Sequence, residues 1–300
     1  MERPARVAGL GQCSLDYIAS VERFPAEDTK VEADGITIEG GGPVATALVS
    51  LARLGVETAF MGRVSDDEAG AEIIKGLTGE GVETSGLKML AGGSSQVALI
   101  VASRASGTRT IIWKRPTVAA LGPDEVDASL ITGSVMLLVD GLMAEASMEA
   151  ARIARGSGVP VMLDAGRLRP GMMELAAASD FVVASEEFSA AVAPTPQQTL
   201  RELAGQNPAL SAATVTLGPA GSVTAAGGRT FSTPAFEVRA VDTTGAGDVF
   251  HGGYIYGILK GWGMEKTLRF ASAFAAIKCT RPGGRGGIAS LGETLEFMGA

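Results

Sequence analysis

Short apolar runs alternate with amphipathic stretches along most of this chain. Runs of four or five apolar residues are typical of strands that are buried on both faces of a parallel sheet. The predicted strands are Val7–Leu10, Thr58–Met61, Val135–Val139, Val159–Leu163, Phe181–Ala184 and Thr214–Leu217. The predicted helices are Val44–Leu54, Asp66–Thr78, Ala144–Arg155, Met172–Ala178, Glu186–Val192, Pro196–Ala204, Asp248–Leu259, Met264–Thr280 and Gly292–Met298. This alternation predicts a doubly wound α/β fold with a mainly parallel sheet.

Two segments, 14–39 and 94–116, show a period of two without intervening helices. The second segment reads as two strands that pair across the turn 103–107. Because both segments flank the glycine turn Gly40–Gly42, we expect them to form a small β-sheet lid over a site. The alternative is that they extend the main sheet. In either case residues 1–300 are expected to form a single α/β domain.

Composition narrows the functional classes. Hydrophobic residues make up 46% of the 300 residues, and the net charge is −8. The acidic balance argues against a nucleic-acid or membrane-surface partner, since such partners require basic patches. Cys13 and Cys279 are too few for a disulfide framework, so a reducing, cytoplasmic compartment is expected. No apolar run is long enough to span a membrane.

The most informative stretch is a glycine-rich turn at 242–248 that leads into an apolar helix. Gly245 and Gly247 allow a ligand to approach the main chain, and the start of the helix offers N–H groups to an anion. A carboxylate at Asp248 would repel a static phosphate, but it suits a base that removes a proton from an attacking hydroxyl. The alternative is an ordinary helix start with an acidic dipole partner.

This stretch, Asp-Thr-Thr-Gly-Ala-Gly-Asp with the small pair Gly252-Gly253 behind it, resembles the C-terminal signature of the ribokinase (PfkB-type) carbohydrate kinases. The turn Gly40–Pro43 and the helix after it resemble the N-terminal signature. The resemblance covers essentially the whole chain. It implies a ribokinase-like fold and an ATP-dependent sugar kinase that uses Mg²⁺ and in many members K⁺. It also implies a homodimer formed through the lid.

The resemblance assigns roles around the phosphates. Asp248 would be the general base, and the amides of Gly245, Ala246 and Gly247 would form the anion hole. Further expected contacts with ATP or its cations are Thr216, Gly218, Gly221, Thr244 and Cys279 for the nucleotide, Glu187 for the Mg²⁺ shell and Asp242 for a monovalent cation. The turn 218–221 could instead be a plain hairpin turn, and Cys279 a small core residue. The family often has the motif Asn-x-x-Glu in this region. Glu187 corresponds to the Glu of that motif if Ala184 replaces the Asn, whereas the motif is shifted by one residue if Ser185 replaces it.

The resemblance also assigns a sugar site. Its expected residues are Asp16, Gly41, Gly42, Thr46 and His251. Thr46 stands where the family usually has Asn, so its sugar contacts must differ. Asp16 could instead be a surface turn residue, and His251 a packing residue.

Basic residues that could meet an anionic substrate group or a phosphate are Lys114, Arg115, Arg167 and Arg169. The stretch 278–285 and the signature at 248–252 are similar to those of 6-deoxy-6-sulfofructose kinases. We therefore expect phosphorylation of a primary hydroxyl on a ketose or an acid-substituted ketose. The alternatives are a nucleoside kinase of the same fold and a non-catalytic binding protein that kept the fold.

Overall fold

The structure, a computed structural model, describes residues 5–299. Its strands are β1 Arg6–Leu10, β2 Ser14–Val21, β3 Gly35–Gly41, β4 Glu57–Ser65, β5 Val82–Leu90, β6 Val97–Ser103, β7 Thr108–Lys114, β8 Met136–Val139, β9 Val161–Ala165, β10 Phe181–Ser185, β11 Ala212–Thr216, β12 Ser222–Ala226 and β13 Arg229–Thr233. Its helices are α1 Pro43–Arg53, α2 Glu68–Gly79, α3 Ala128–Thr132, α4 Ala144–Gly156, α5 Met172–Ala177, α6 Glu186–Val192, α7 Pro196–Gln206, α8 Ala246–Leu259, α9 Met264–Cys279 and α10 Leu291–Met298.

Nine strands form the main sheet, in the order β13-β12-β11-β10-β9-β8-β1-β4-β5. The seven strands from β11 to β5 are parallel, and β12 and β13 run antiparallel at one edge. The predicted doubly wound, mainly parallel sheet is confirmed. Sequence reasoning missed β5, β12 and β13, because these strands lie at or near the edges and lack a continuous apolar run.

The remaining four strands form a separate sheet, the lid sheet, in the order β3-β2-β6-β7. The predicted small second sheet is confirmed, and β6 pairs antiparallel with β7 as expected. The sheet is mixed, since β2 and β6 run parallel while β2 and β3 run antiparallel.

Helices cover both faces of the main sheet, because alternate residues of each strand point to opposite sides. Val7 and Leu138 face the layer that contains α1, α8 and α9. Ala8 and Leu137 face the layer that contains α4, α5 and α7. No helix among residues 5–299 is long and apolar enough to cross a membrane.

Candidate active site

Acidic side chains meet at the carboxyl ends of the central strands. Asp140 directly follows β8, and Asp164 lies near the end of β9. The carboxylate of Asp140 accepts the N–H groups of Gln12 (2.8 Å) and Leu142 (2.9 Å). Chain order reverses between β1 and β8, and ligands bind at such switch points in open α/β sheets.

Asp248 lies in the first turn of α8, within electrostatic reach of Asp164. Burial, followed by the charge of Asp164, raises the pKa of Asp248 well above its ordinary value, and the charge of Arg109 opposes the rise. Asp248 is half-buried, and a carboxyl with a raised pKa is a stronger base once it is ionised, which suits removal of a proton from a hydroxyl.

The start of α8 leaves main-chain donors free. Gly245 is the N-cap with φ +73°, and a side chain there would press on the carbonyl of Gly284. The N–H of Ala246 bonds back to the carbonyl of Thr243 at 3.3 Å. Within residues 5–299, the N–H groups of Gly245 and Gly247 meet no acceptor. These two groups, with the helix dipole, can hold an anion beside Asp248.

The turn before α8 is tied to the end of α9 and the loop after it. Both carboxylate oxygens of Asp242 accept N–H groups, from Thr244 (2.8 Å) and Gly283 (2.9 Å). Burial opposes the ionisation of Asp242, but the charge of Lys278 and these hydrogen bonds hold its pKa below the ordinary value. The fully buried ammonium of Lys278 donates to the carbonyl of Asp242 at 2.7 Å. The ammonium of Lys278 on α9 therefore already contacts the turn at Asp242, which was expected to hold K⁺.

Thr244 supports a ligand at this turn in another way. Its hydroxyl is buried and has no hydrogen-bond partner within the described part of the chain. A buried polar group without a partner is costly, and a bound ligand atom would supply one. The expectation that Thr244 contacts the nucleotide or a cation thus fits the local structure.

The sugar-side residues lie where the lid sheet meets β1. Asp16 is buried on β2 and accepts a hydrogen bond from the hydroxyl of Ser14 at 2.6 Å. Burial raises the pKa of Asp16. A side chain at Gly41 would overlap the Asp16 carboxylate, so this glycine lets β3 approach that group closely. Gly42, with φ +99°, turns the chain into α1.

Thr46 does not face an open pocket. It is buried on α1, and its hydroxyl accepts a hydrogen bond from Nε of Arg285 at 3.4 Å. Nη2 of Arg285 donates to the carbonyl of Gly41 at 3.1 Å. Where the family usually has Asn, this chain therefore has Thr46 together with Arg285, which is distant in sequence and reaches the sugar side of the site.

His251 is buried one turn after Asp248. Its Nδ1 donates to the carbonyl of Gly247 at 2.7 Å, and its Nε2 lies 3.5 Å from the carboxylate of Asp164 and 3.4 Å from the carbonyl of Val183. Both ring nitrogens face protein acceptors, so the packing alternative describes its surroundings better than a substrate contact.

The expected nucleotide residues lie on two neighbouring segments. Thr216 ends β11, and its hydroxyl donates to the carbonyl of Ala184 at 3.3 Å. The turn that holds Gly218 and Gly221 connects β11 to the antiparallel β12, so the hairpin alternative is correct for its shape. Cys279 is half-buried, and its carbonyl accepts the N–H group of Val241 at 2.7 Å. ATP contacts at these positions stay a prediction.

The region of the expected Mg²⁺ shell has a different arrangement. Ala184 is buried within β10, whereas the hydroxyl of Ser185 caps α6 through the N–H of Phe188. Glu187 is exposed and forms an ion pair with Arg167 at 2.6 Å. Mg²⁺ bound to ATP keeps several waters and needs few protein ligands, so a role for Glu187 stays a prediction.

Lys114 and Arg115, the basic residues at the end of β7, point to different sides of the lid sheet. Ile111 and Trp113 oppose Ile100 and Ala98, which lie on the buried inner face of the lid sheet. Lys114 therefore alternates onto the outer face. Arg115 stacks on Trp113, and burial together with the charges of Arg167 and Arg115 lowers the pKa of Arg169. The charge of Arg115 thus reaches Arg169, whereas Thr46 contacts a different arginine, Arg285.

Sequence reasoning did not assign roles to several residues that complete the site. They are Asp140, Arg109, Arg285, Lys278 and Glu39. Asp140 had a usable signal, since it directly follows a predicted strand. The others are brought in by long-range contacts that leave no local pattern. The arrangement as a whole places the carboxyl of Asp248 beside a candidate anion site and a group of sugar-side donors and acceptors, which suits phosphoryl transfer to a hydroxyl.

Comparison with known proteins agrees with this geometry. The family model of the pfkB family carbohydrate kinases matches residues 4–290. The ribokinase of Haemophilus influenzae is 25% identical over 296 residues, which cover 96% of this chain and 97% of the relative. The ATP-dependent ribose-1-phosphate kinase of Halopiger xanaduensis is 28% identical over 283 residues, which cover 93% of this chain and 94% of the relative.

Solved structures show the same fold. A protein of Agrobacterium tumefaciens, provisionally named a ribokinase, superposes with a TM-score of 0.88 at 28% identity and covers 99% of this chain and 98% of that one. A structure from E. coli, provisionally named ribokinase II and solved with ATP and Mg²⁺, has a TM-score of 0.85 at 22% identity and covers 98% and 99%. Because the family match spans nearly the whole chain, this protein belongs to the pfkB family of carbohydrate kinases.

Proposed function

We propose that this carbohydrate kinase transfers the γ-phosphoryl group of ATP to a primary hydroxyl of a sugar that carries an acid group, with a ketose as the preferred scaffold. The observation that carries the reaction type is the position of Asp248 in the same helical turn as the free N–H groups of Gly245 and Gly247. A base and an anion site in one turn serve a hydroxyl that attacks a phosphoryl group.

The step follows from this placement. Asp248 takes the proton of the sugar hydroxyl while the sugar oxygen forms a bond to the γ-phosphorus, and the bond from that phosphorus to the β,γ-bridging oxygen breaks to release ADP. The N–H groups at the start of α8 stabilise the charge on the transferring group. Asp16 accepts hydrogen bonds from the sugar and orients it.

ATP with Mg²⁺ is the expected phosphoryl donor. The E. coli structure that shares this fold holds both. Mg²⁺ neutralises phosphate charge when it is bound. In this chain, the unpartnered hydroxyl of Thr244 and the Asp242 turn would hold the phosphate end of the nucleotide.

The acid group is proposed from two arginines, Arg115 and Arg169, that lie within electrostatic reach of each other. Arg115 follows the lid strand β7, and Arg169 lies beyond the end of β9, close to Asp140 and Asp164. Two neighbouring guanidinium groups favour binding of a carboxylate, sulfonate or phosphate.

The base is tested with Asp248→Asn. We expect ADP release in the presence of sugar to fall by about a hundredfold or more, because the amide cannot take the proton. Asp124→Asn, a change of an exposed carboxylate in the turn before α3, is the matched control and should retain the wild-type rate. Wild-type turnover by Asp248→Asn would overturn the assignment of the base.

The substrate is tested by kcat/KM on a panel of ribose, deoxyribose, ribose 1-phosphate, 5-dehydro-2-deoxygluconate, fructose and 6-deoxy-6-sulfofructose. We expect the acid-bearing ketose to exceed fructose by at least about tenfold. Arg169→Gln should remove most of that difference and leave fructose turnover nearly unchanged. A clear preference for neutral ribose would contradict the proposed acid group and leave the kinase assignment standing.

A further inference from the structure

The lid sheet touches the turn that precedes α8 at two places. Nη1 of Arg109, on β7, donates to the hydroxyl of Thr243 at 3.0 Å. Gly107, in the turn before β7, packs so closely on Ala240 that an added side-chain carbon would lie 2.8 Å from the Ala240 carbonyl. The tip of the β6–β7 hairpin therefore rests on the segment that leads into the anion site.

The charge of Arg109 acts on the groups around that site. Burial and the charge of Asp164 raise the pKa of Asp248, and Arg109 lowers it. Burial lowers the pKa of Lys278, and Arg109 lowers it further. Burial raises the pKa of Cys279, and Arg109 opposes the rise. These three groups surround the start of α8, so the guanidinium of Arg109 lies within electrostatic reach of the place where a γ-phosphoryl group would sit.

Two other cations near the site have different surroundings. Lys278 is fully buried against the carbonyl of Asp242, and Arg285 is buried against the carbonyl of Gly41. Both are held by main-chain groups of the fold. Arg109 is exposed, and within residues 5–299 its side chain forms one hydrogen bond, to the neutral hydroxyl of Thr243. Its remaining donors are available to a ligand.

We propose that Arg109 is a catalytic residue supplied by the lid sheet, which binds the γ-phosphoryl group of ATP and stabilises it during transfer. This role rests on the proposed kinase function. Negative charge on the phosphoryl oxygens must be balanced as the sugar oxygen bonds to phosphorus and ADP leaves, and a planar guanidinium can bind two of those oxygens. Because Arg109 is carried by the lid sheet, the site is complete only when the hairpin rests on 240–243.

The kinetic test compares Arg109→Gln with Arg109→Lys. We expect kcat to fall by about a hundredfold or more for the glutamine and by about tenfold for the lysine, with the sugar KM changed by less than about threefold. Arg104→Gln is the matched control, because Arg104 lies at the same hairpin but pairs with Glu22 and Asp34 away from the site. It should keep the wild-type kcat.

A binding test separates this role from the proposed function. Affinities of a non-hydrolysable ATP analogue and of ADP are measured by calorimetry without sugar. Arg109→Gln should weaken the analogue by about tenfold and ADP by less than about twofold, because only the analogue carries the γ-phosphoryl group. The selective loss of affinity for the ATP analogue is expected even if no sugar in the panel is phosphorylated. In that case the proposed function fails, while binding of the γ-phosphoryl group by Arg109 is still supported.

A purely structural role is tested with Thr243→Val, which removes the hydrogen-bond partner of Arg109 and keeps its charge. We expect kcat to change by less than about fivefold. An equal loss for Thr243→Val and Arg109→Gln, or an equal loss of both nucleotides in Arg109→Gln, would overturn the catalytic role and leave Arg109 as a clamp for the hairpin.

Discussion

At the scale of single residues, burial decides how the carboxyl groups of this site behave. Asp140 is nearly inaccessible, and burial raises its pKa from 3.8 to about 7. Its two N–H donors, on Gln12 and Leu142, oppose the rise but do not cancel it. The folded protein therefore holds a proton on Asp140 over a pH range in which the unfolded chain does not.

The consequence is a stability that depends on pH. Because the folded pKa is raised, the contribution of Asp140 to stability is fully present below its ordinary pKa of 3.8 and is lost as the pH rises to about 7. Asp140→Asn removes this titration. The variant should gain stability relative to wild type between pH 5 and pH 8 by on the order of 1–3 kcal/mol, measured by urea unfolding at both values.

The test compares the change in unfolding free energy between pH 5 and pH 8. A hydrogen bond lost in Asp140→Asn lowers the stability by the same amount at both pH values and therefore does not affect this comparison. Asp124→Asn, at an exposed position, should follow the wild-type curve. Parallel curves for wild type and Asp140→Asn would show that Asp140 is ionised in the folded protein throughout this range.

At the scale of elements, α8 explains why the signature ends in two small residues. A side-chain carbon at Gly252 would overlap the hydroxyl of Ser50 on α1 and lie 3.0 Å from the carbonyl of Ala47. One at Gly253 would lie 2.9 Å from Cα of Ala271 on α9. The two glycines let three helices pack closely, and this packing fixes where the first turn of α8 presents Asp248.

Gly252→Ala tests this packing. Alanine normally stabilises a helix relative to glycine, but here we expect a loss of about 1–3 kcal/mol in unfolding free energy, because the carbonyl of Ala47 cannot move aside. Gly205→Ala is the matched control, since Gly205 on α7 has no atom within 4 Å of an added side-chain carbon. It should be neutral or stabilising by up to about 1 kcal/mol. Equal effects of the two changes would refute the packing role.

At the scale of the whole molecule, the lid sheet leaves its outer face apolar. Ile38, Tyr17, Leu99 and Ile112 stand directly opposite one another across its four strands. Ile38, Leu99 and Ile112 are 58%, 53% and 59% exposed. A continuous row of exposed apolar side chains on a small sheet is typical of an interaction surface. We expect a second copy of the chain to cover it, in keeping with the homodimer implied by the family resemblance.

Light scattering after gel filtration measures the oligomeric state. Wild type should run at about twice the chain mass of 30.5 kDa. The double variant Leu99→Glu with Ile112→Glu should run as a monomer, because buried unpaired carboxylates oppose association. Val31→Glu changes an exposed apolar residue outside the lid strands and should remain dimeric. A monomeric wild type would exclude this interface.

Local features of the sequence predicted the layers of the fold and the type of reaction. Buried parallel strands have continuous apolar runs, and the turn at 242–248 contains glycines, a helix start and the candidate base Asp248 within seven residues. Such short-range patterns are readable because neighbouring residues alone produce them. The strands β12 and β13 were not predicted, because the runs Ser222–Ala226 and Arg229–Thr233 mix Ser and Thr with apolar residues and lack the continuous apolar pattern of the central strands.

Only the tertiary structure decided what surrounds the reaction centre. Arg109 meets Thr243 across 134 positions, and Arg285 meets Thr46 across 239. Sheet order and helix packing bring these partners together, and periodicity along the chain carries no information about which distant residues will meet. The sequence by itself therefore determined the chemistry of this kinase, whereas the fold determined which cations and carboxylates shape the site for its sugar.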